Sequence, residues 1–570
     1  MIVRWKRGFL SCPDGLPNPR TIITVDVRFP AFTLALLLLI AAAPLRAQQS
    51  PAASSRPQPQ TPAAASVQAQ AHGRLLLVLP FENHSGQPSL DWIGEGVPEI
   101  FNERLGSAGF LPISRGDRLY ALDHLGLPLN FQPSRASTIR LAQTLDADYV
   151  ISGFFTITGK EITLTARVLD VTGLKLGKPI VENAPLEQLL NTLNTLAWDA
   201  VKQIDPAYPV AESTFVAADA NLHVEVFENY VRGLVEDSPT ERIRHLHEAL
   251  QLSPGFYPAW LALGRAYFSN QDYDQAAVAF GHLRQTDPHA LEADFYRGLS
   301  YFYTGNYLKA EDAFAFDTTR LPLPEVVNNE AVAASRRGKD AVPLFQQAVA
   351  ADPKDADYRF NLAVALAHRG DTAGALREIT QALKLRPNDT EAQGIQTQLK
   401  SGAVIPASAS NNSGPLERIK RSYNEAGFRQ AAFELEQMQM MKLAMMPPAA
   451  RAAELVKDGA VFLNRGLLLQ AEREFQSALA ADSSNAAAHA GLAQVRERTG
   501  NSTAARDEAQ KSLSLQPNVP AHLVLARLDL ASNQPAAAAD EVSQALHLDP
   551  NNANARGMRQ ALESRGQQVP

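Results

Sequence analysis

The residues near the start of the chain with the clearest capacity for chemistry lie in FENHSGQPSLDWIGEGVPEIF, Phe81 to Phe101. His84 is followed there by the carboxylates of Asp91 and Glu95 and by the glycine pair Gly94-x-Gly96. An imidazole beside carboxylates could move protons in a hydrolysis. Glycines that open a helix could instead turn backbone N–H groups toward a phosphate. The phosphate reading fails on spacing, because Pro98 and Glu99 stand where a third glycine or a lysine is needed. The hydrolytic reading lacks a serine-acid relay, so His84, Asp91 and Glu95 remain only as candidates for an unrecognised hydrolase. The expected role of the loop is punctuation, with Asn83, Ser85 and Gly86 turning the chain and Pro98 at an early helical position.

Two further groups could bind metal. His245 and His247 are two apart on a predicted helix and therefore point to different faces, a poor chelate. ELEQMQMMKLAMMPP, Glu434 to Pro448, holds five of the seven methionines, and Met438, Met441 and Met445 share one helical face. Exported methionine clusters can hold Cu(I), but pliable packing or docking is the expected use. No cofactor or metal ligand set is assigned.

The elements around these residues divide the chain. With 570 residues, 45% apolar and 20% charged, it is globular material for about three or four domains. Arg4, Lys6, Arg7, Arg20 and Arg28 precede the apolar run Ala31 to Leu45, which ends at the small residue Ala47. Residues 1–47 therefore read as a secretory signal peptide, since an apolar run of about 15 residues is short for a spanning helix. Processing there would remove six basic and two acidic residues and move the formal charge from −7 to −11, a poor match for nucleic acid. It would also remove Cys12, the single cysteine, and with it any disulfide or thiolate chemistry. Residues 48–73, rich in Ala, Pro, Gln and Ser, read as a disordered tether.

From residue 74 to 206 the periodicity is mixed. Leu75 to Phe81 suits a strand buried on both faces, and Asp91 to Leu105 has helical spacing. Alternation on either side of Gly159-Lys160 marks a hairpin, and Leu186 to Ile204 a closing amphipathic helix. A small mixed sheet with helices packed on it follows. The stretches VLPFENHSGQPSLDWIGEGVPEIFNERL and RLAQTLDADYVISGFFTITGKEITLTARVLDVTG together resemble the TolB amino-terminal-like domain. The resemblance covers residues 75 to about 205 and implies a non-enzymatic envelope module that engages other proteins.

The rest of the chain repeats. Prolines 254, 288, 322, 353 and 387 are spaced 34, 34, 31 and 34 residues apart, the tetratricopeptide (TPR) length. Trp260, Leu263, Gly264 and Tyr267 form one helical face and Tyr273, Ala276, Phe280 and Leu283 a second, with small residues where the helices approach. Gly298, Tyr301, Gly305, Tyr307, Ala310 and Phe314 match in the next unit. Gly338 and Phe345 stand two residues closer than the pattern asks, which predicts a shortened turn. A first array over 223–400, a linker over 401–415 and a second array over 416–565 are expected. The expected fold class is thus a small α/β mixed-sheet domain followed by all-α TPR superhelical arrays.

The resemblance to TPR proteins implies a concave wall, here lined by Arg265, Phe268, Phe295, Leu299, Phe302, Tyr303, Phe360 and Val364. Five aromatics on that wall favour an apolar or aromatic peptide, or a partner helix, over an acidic tail. The reading that emerges is an exported, non-catalytic scaffold of the bacterial periplasm or cell envelope, binding proteins or peptides and not nucleic acid, with no membrane span after processing. The alternatives are a regulatory, sensory TPR protein of a signalling pathway and the hydrolase named above.

Overall fold

The computed structural model describes residues 75–128, 134–217, 222–283, 287, 289–403, 405, 417–423 and 437–570, together with two short strands, Arg4–Arg7 and Ile23–Asp26, that pair antiparallel. The tether at 48–73 and most of the expected signal peptide and of the 401–415 linker lie outside the described residues.

The first domain is built on a seven-stranded sheet. Strand β1 (Leu75–Val78) lies between β3 (Leu111–Pro112) and the central β4 (Tyr149–Thr158), which also pairs with the short β2 (Glu82–Asn83); β4 and β5 (Glu161–Asp170) form the long hairpin, and β6 (Lys175–Leu176) and β7 (Ile180–Pro185) pair with β5. Strand β1 runs parallel to β3 and β4, while β4 and β5 pair antiparallel from Tyr149 opposite Asp170 to Thr158 opposite Glu161. The tight turn is carried by Gly159 at φ +65°, which a residue with a Cβ rarely adopts. Alternation along β1 feeds two cores. Leu76 and Val78 join one with α1 (Asp91–Ser107) and α4 (Leu189–Ile204), whereas Leu77 and Leu79 join another with α2 (Arg115–His124) and α3 (Arg135–Thr144). A continuous apolar run reads as a strand because both faces are covered.

Pro98 lies inside α1, not at its start. It has no N–H to give the carbonyl of Gly94, and that carbonyl accepts instead from Phe81 N at 3.1 Å. A Cβ on Gly94 would lie 2.3 Å from the Phe81 carbonyl oxygen, and one on Gly96 2.8 Å from the Phe227 ring. The glycine pair therefore permits close approach, of the helix to the exit of β1 and of α6 (Val224–Val235) to the helix.

Helical hairpins follow. They run from α6 through α7 (Pro239–Leu252), α8 (Tyr257–Ser269), α9 (Tyr273–Phe280), α10 (Ala290–Tyr303), α11 (Tyr307–Thr318), α12 (Pro324–Arg336), α13 (Val342–Ala351), α14 (Ala356–His368) and α15 (Thr372–Leu385) to α16 (Thr390–Lys400). Phe280 fills the space left by Gly264, and Phe314 that left by Gly298, so these two pairs of helices each close on one aromatic ring, whereas α6 and α7 close on Leu246 against Gly233. The irregular unit does not have a shortened turn. Gly338 keeps the left-handed cap (φ +76°) of the neighbouring turns, and the two missing residues are taken from α13, which begins only at Val342. The helix end is the better-defined feature because the cap satisfies its last carbonyls.

The second array comprises α17 (Pro448–Asn464), α18 (Leu468–Ala481), α19 (Ala486–Arg498), α20 (Ser502–Leu515), α21 (Val519–Ala531), α22 (Pro535–Leu548) and α23 (Ala553–Glu563), preceded by helical residues 437–444. It is joined back to the first domain through α5 (Glu212–Val216). The buried Glu472 carboxylate accepts from Ala211 N at 2.9 Å and pairs with Arg496 at 2.5 Å, and Arg496 reaches the Thr214 hydroxyl at 3.4 Å. No helix among the described residues is long and apolar enough to cross a membrane.

Candidate peptide-binding groove

Residues 417–423, which the sequence boundaries assign to the start of the second array, lie along the first. They have no helical or strand assignment and cross α10, α12, α14 and the start of α16. Asparagine side chains grip their backbone. Asn361 on α14 donates from Nδ2 to the Arg418 carbonyl at 2.8 Å and accepts the Arg418 N–H at 2.6 Å. Asn329 on α12 does the same at Lys420, donating at 2.8 Å and accepting at 2.8 Å. Asn328 adds a bond to the Arg418 carbonyl at 3.0 Å and receives one from Asn361 at 2.8 Å. All three asparagines are fully buried. A buried amide left without partners is costly, so the asparagines and the polar backbone of this strap satisfy one another.

The register has a local origin. Asn329 and Asn361 each stand nine residues before the turn glycine of their hairpin, Gly338 and Gly370. The equivalent residue one unit earlier is Tyr296, nine before Gly305, and its ring lies 6.3 Å from that of Tyr423. Successive first helices thus offer the same position to residues 418, 420 and 423. In the second array the positions nine before Gly466, Gly500 and Asn533 hold Lys457, Gly491 and Val524, which cannot clamp a backbone in this way.

The side chains of the strap are read by carboxylates at helix starts. Asp355 caps α14, Asp357 sits in its first turn, and Asp389 caps α16. Arg418 reaches Asp389 at 2.6 Å, Asp357 at 3.1 Å and Glu391 at 2.9 Å, and its guanidinium lies 3.7 Å over the Phe360 ring. Lys420 reaches Asp355 at 2.9 Å and Asp357 at 2.8 Å, 4.9 Å from the Tyr358 ring centre. Burial alone would raise the Asp357 pKa, but Lys420 and Arg386 outweigh it and hold the carboxyl well below its ordinary value. The hydrogen bond from Arg418 likewise lowers that of Asp389. Glu417 is buried against Ser335 and Arg336, and Ile419 packs on the apolar residues of the groove. Tyr423 stacks edge-on to Phe295 at 4.9 Å, in a depression lined by Leu291, Leu323, Val326 and Asp317.

The wall expected from sequence is placed as follows. Phe295, Leu299, Phe360 and Val364 are at most 1% exposed, so half of it is core, yet Phe295 and Phe360 each present a ring to the strap. Phe268, Phe302 and Tyr303 are half-buried in an aromatic group with Tyr273, Tyr296 and Tyr307, and Arg265 pairs with Glu292. The groove is also more polar than those eight residues imply. Sequence reasoning passed over Asn328, Asn329, Asn361, Asp355, Asp357 and Asp389, whose signal was a polar residue recurring at one register position above acidic helix starts.

The other candidates are not gathered. His84 bonds Glu82 at 3.0 Å and stacks on Phe154, Asp91 accepts from Asn83 at 2.7 Å, and Glu95 pairs with the buried Arg118 at 2.7 Å. His245 meets Asn229 and His247 meets Tyr267. Met438, Met441 and Met445 are exposed.

Tetratricopeptide-repeat family models match residues 240–295 and 333–399, and another matches 459–520. No curated protein matches. Similar solved structures include YrrB, described as a TPR protein with an unusual peptide-binding site, at 17% identity over 30% of this chain and 90% of that one with a TM-score of 0.28. Others are a MamA fragment from Desulfovibrio magneticus RS-1, at 21% identity over 28% and 92% with a TM-score of 0.25, and the LpoB carboxy-terminal domain from Salmonella enterica, at 17% over 21% and 91% with a TM-score of 0.18. Each spans less than a third of this chain. By the hairpin geometry and the family models together, residues 240–295, 333–399 and 459–520 are tetratricopeptide repeats.

Proposed function

We propose that this protein is an exported, non-catalytic scaffold of a bacterial cell envelope, which holds partner proteins by gripping extended peptide segments in the groove of its first array. The observation that carries the reading is the pair of asparagine clamps on the backbone of residues 418 and 420. Contacts to backbone groups fix an extended chain whatever its origin, and charged pockets beside them select its side chains. The basic, apolar and small-residue pattern of residues 1–47 supports export to the periplasm. The TolB-like order of elements in residues 74–206 supports a second docking module at the amino-terminal end. His84, Asp91 and Glu95, each held by a different partner, do not favour hydrolysis.

Crosslinking in envelope fractions tests the reading, with the intact protein compared to Asn329→Ala/Asn361→Ala. The partner recovered with the intact chain is expected to be lost from the variant. Equal recovery, or a chain retained unprocessed in the cytoplasm, contradicts it.

A further inference from the structure

We infer that residues 417–423 stand in for the partner: the groove of the first array takes an extended segment that reads arginine, apolar residue, lysine and then an aromatic three positions on, and the chain's own copy of that pattern competes for the site. The inference rests on the peptide-groove reading above and adds to it the chemistry of the ligand and a means of regulation.

Each position of the pattern has its own receptor. The arginine needs Asp389 and Asp357 for its charge and Phe360 for its planar face, a combination that suits a guanidinium better than an ammonium. The lysine shares Asp357 and adds Asp355. The aromatic residue meets Phe295 above the Leu291, Leu323 and Val326 depression. The backbone is held at the arginine and lysine positions themselves, and the residue between them packs on the apolar clusters of the groove through its side chain, which is why that position is apolar.

The strap also differs from the core it lies on. Of the hairpins beneath, α10–α11 closes through Gly298 on Phe314, and α12–α13 and α14–α15 share a buried core that includes Ala331, Phe345, Ala363 and Ile379; of the strap, Ile419 and Tyr423 pack against these cores. Its own contacts are mainly hydrogen bonds and ion pairs, and the Arg418 and Lys420 side chains keep 21% and 19% exposure. Such contacts can be exchanged for those of a second chain carrying the same groups. Because the strap is tethered, its effective concentration at the groove is on the order of millimolar, so only a partner that is tight, abundant or multivalent displaces it.

The test uses the full chain and a labelled synthetic peptide with the sequence of residues 416–424, followed by fluorescence anisotropy. With the strap charge-reversed (Arg418→Glu/Lys420→Glu), binding is expected to tighten by at least about ten-fold over the wild type as the tethered competitor is lost. Adding Asn361→Ala and Asp357→Asn should abolish that gain. A peptide with glutamates at the arginine and lysine positions should not bind. If the opened groove holds that reversed peptide equally well, the basic pattern is wrong while the groove reading stands. If it binds neither peptide at an unchanged Tm, both are wrong. A measurement on the wild type needs no variant: excess unlabelled peptide must speed hydrogen exchange at the Arg418 amide, and an exchange rate that ignores the peptide overturns the competition.

Discussion

Asn361 holds both backbone polar groups of Arg418, donating to its carbonyl at 2.8 Å and accepting its N–H at 2.6 Å. One side chain thereby satisfies two backbone groups of a segment 57 residues further along the chain. Loss of both clamps, in Asn329→Ala/Asn361→Ala, removes hydrogen bonds worth about 1 kcal/mol each and leaves backbone groups unpaired. Tryptic cleavage after Arg418, Lys420 and Arg421, located by mass spectrometry, should then accelerate by at least ten-fold. Cleavage at the wild-type rate would show that the asparagines do not hold the strap.

Acid should not free the strap until strongly acidic pH. The carboxyls of Asp357 and Asp389 have lowered pKa values in the folded chain. Their contribution is therefore fully present above the ordinary carboxylate pKa, about 3.9, and is lost only as pH falls through the lowered values. Protection of the strap measured between pH 5 and pH 8 should be flat, whereas a transition near pH 6 would assign the grip to other groups.

Asp317 has the opposite sign. It is 3% exposed, neither carboxylate oxygen has a hydrogen-bond partner, and burial, helped by Asp294, pushes its pKa up to about 9. The folded chain holds a proton there that the unfolded chain releases above about pH 4, so stability falls as pH rises toward 9. Urea denaturation at pH 5, 7 and 8.5 should show this slope, up to about 1.4 kcal/mol per pH unit, and Asp317→Asn should flatten it. Parallel profiles for the two proteins would contradict the assignment.

The junction between the first domain and the second array depends on Arg496. Its removal in Arg496→Ala leaves Glu472 buried without its cation and should destabilise the chain by about 3–5 kcal/mol. The double substitution Glu472→Leu/Arg496→Leu should recover most of that loss in thermal melts. A single variant as stable as the wild type would mean that the pair carries no part of the junction.

Two glycines should respond oppositely to alanine. Gly298→Ala places a Cβ 2.7 Å from the Phe314 ring and should cost about 1–3 kcal/mol. Gly394→Ala, exposed on α16 with nothing within 4 Å, should gain up to about 1 kcal/mol. Melting temperatures that move together would contradict the packing of the hairpins.

The hairpins were legible because their signals are local and repeat: Gly298 with Phe314, Gly264 with Phe280, and prolines at a constant interval. Strand β1 was legible because burial on both faces removes polar residues from it. Pro98 was harder to place, since its tolerance inside a helix depends on Phe81, far away in sequence, satisfying the freed Gly94 carbonyl. The groove was half legible. Phe295 and Phe360 stood out as aromatic, but the residues that hold the strap are a polar set whose meaning depends on the segment lying across them. Asn361 alone on a helix carries no sign of Arg418, and a basic run after a linker resembles a solvated surface.

Hydrogen exchange resolved to single amides tests the central claim most directly. In the intact protein the Arg418 and Lys420 amides, which donate to Asn361 and Asn329, should exchange slowly, and those of Ile419 and Arg421 faster. Exchange of all four at the rate of the free peptide would contradict a groove that grips this segment by its backbone.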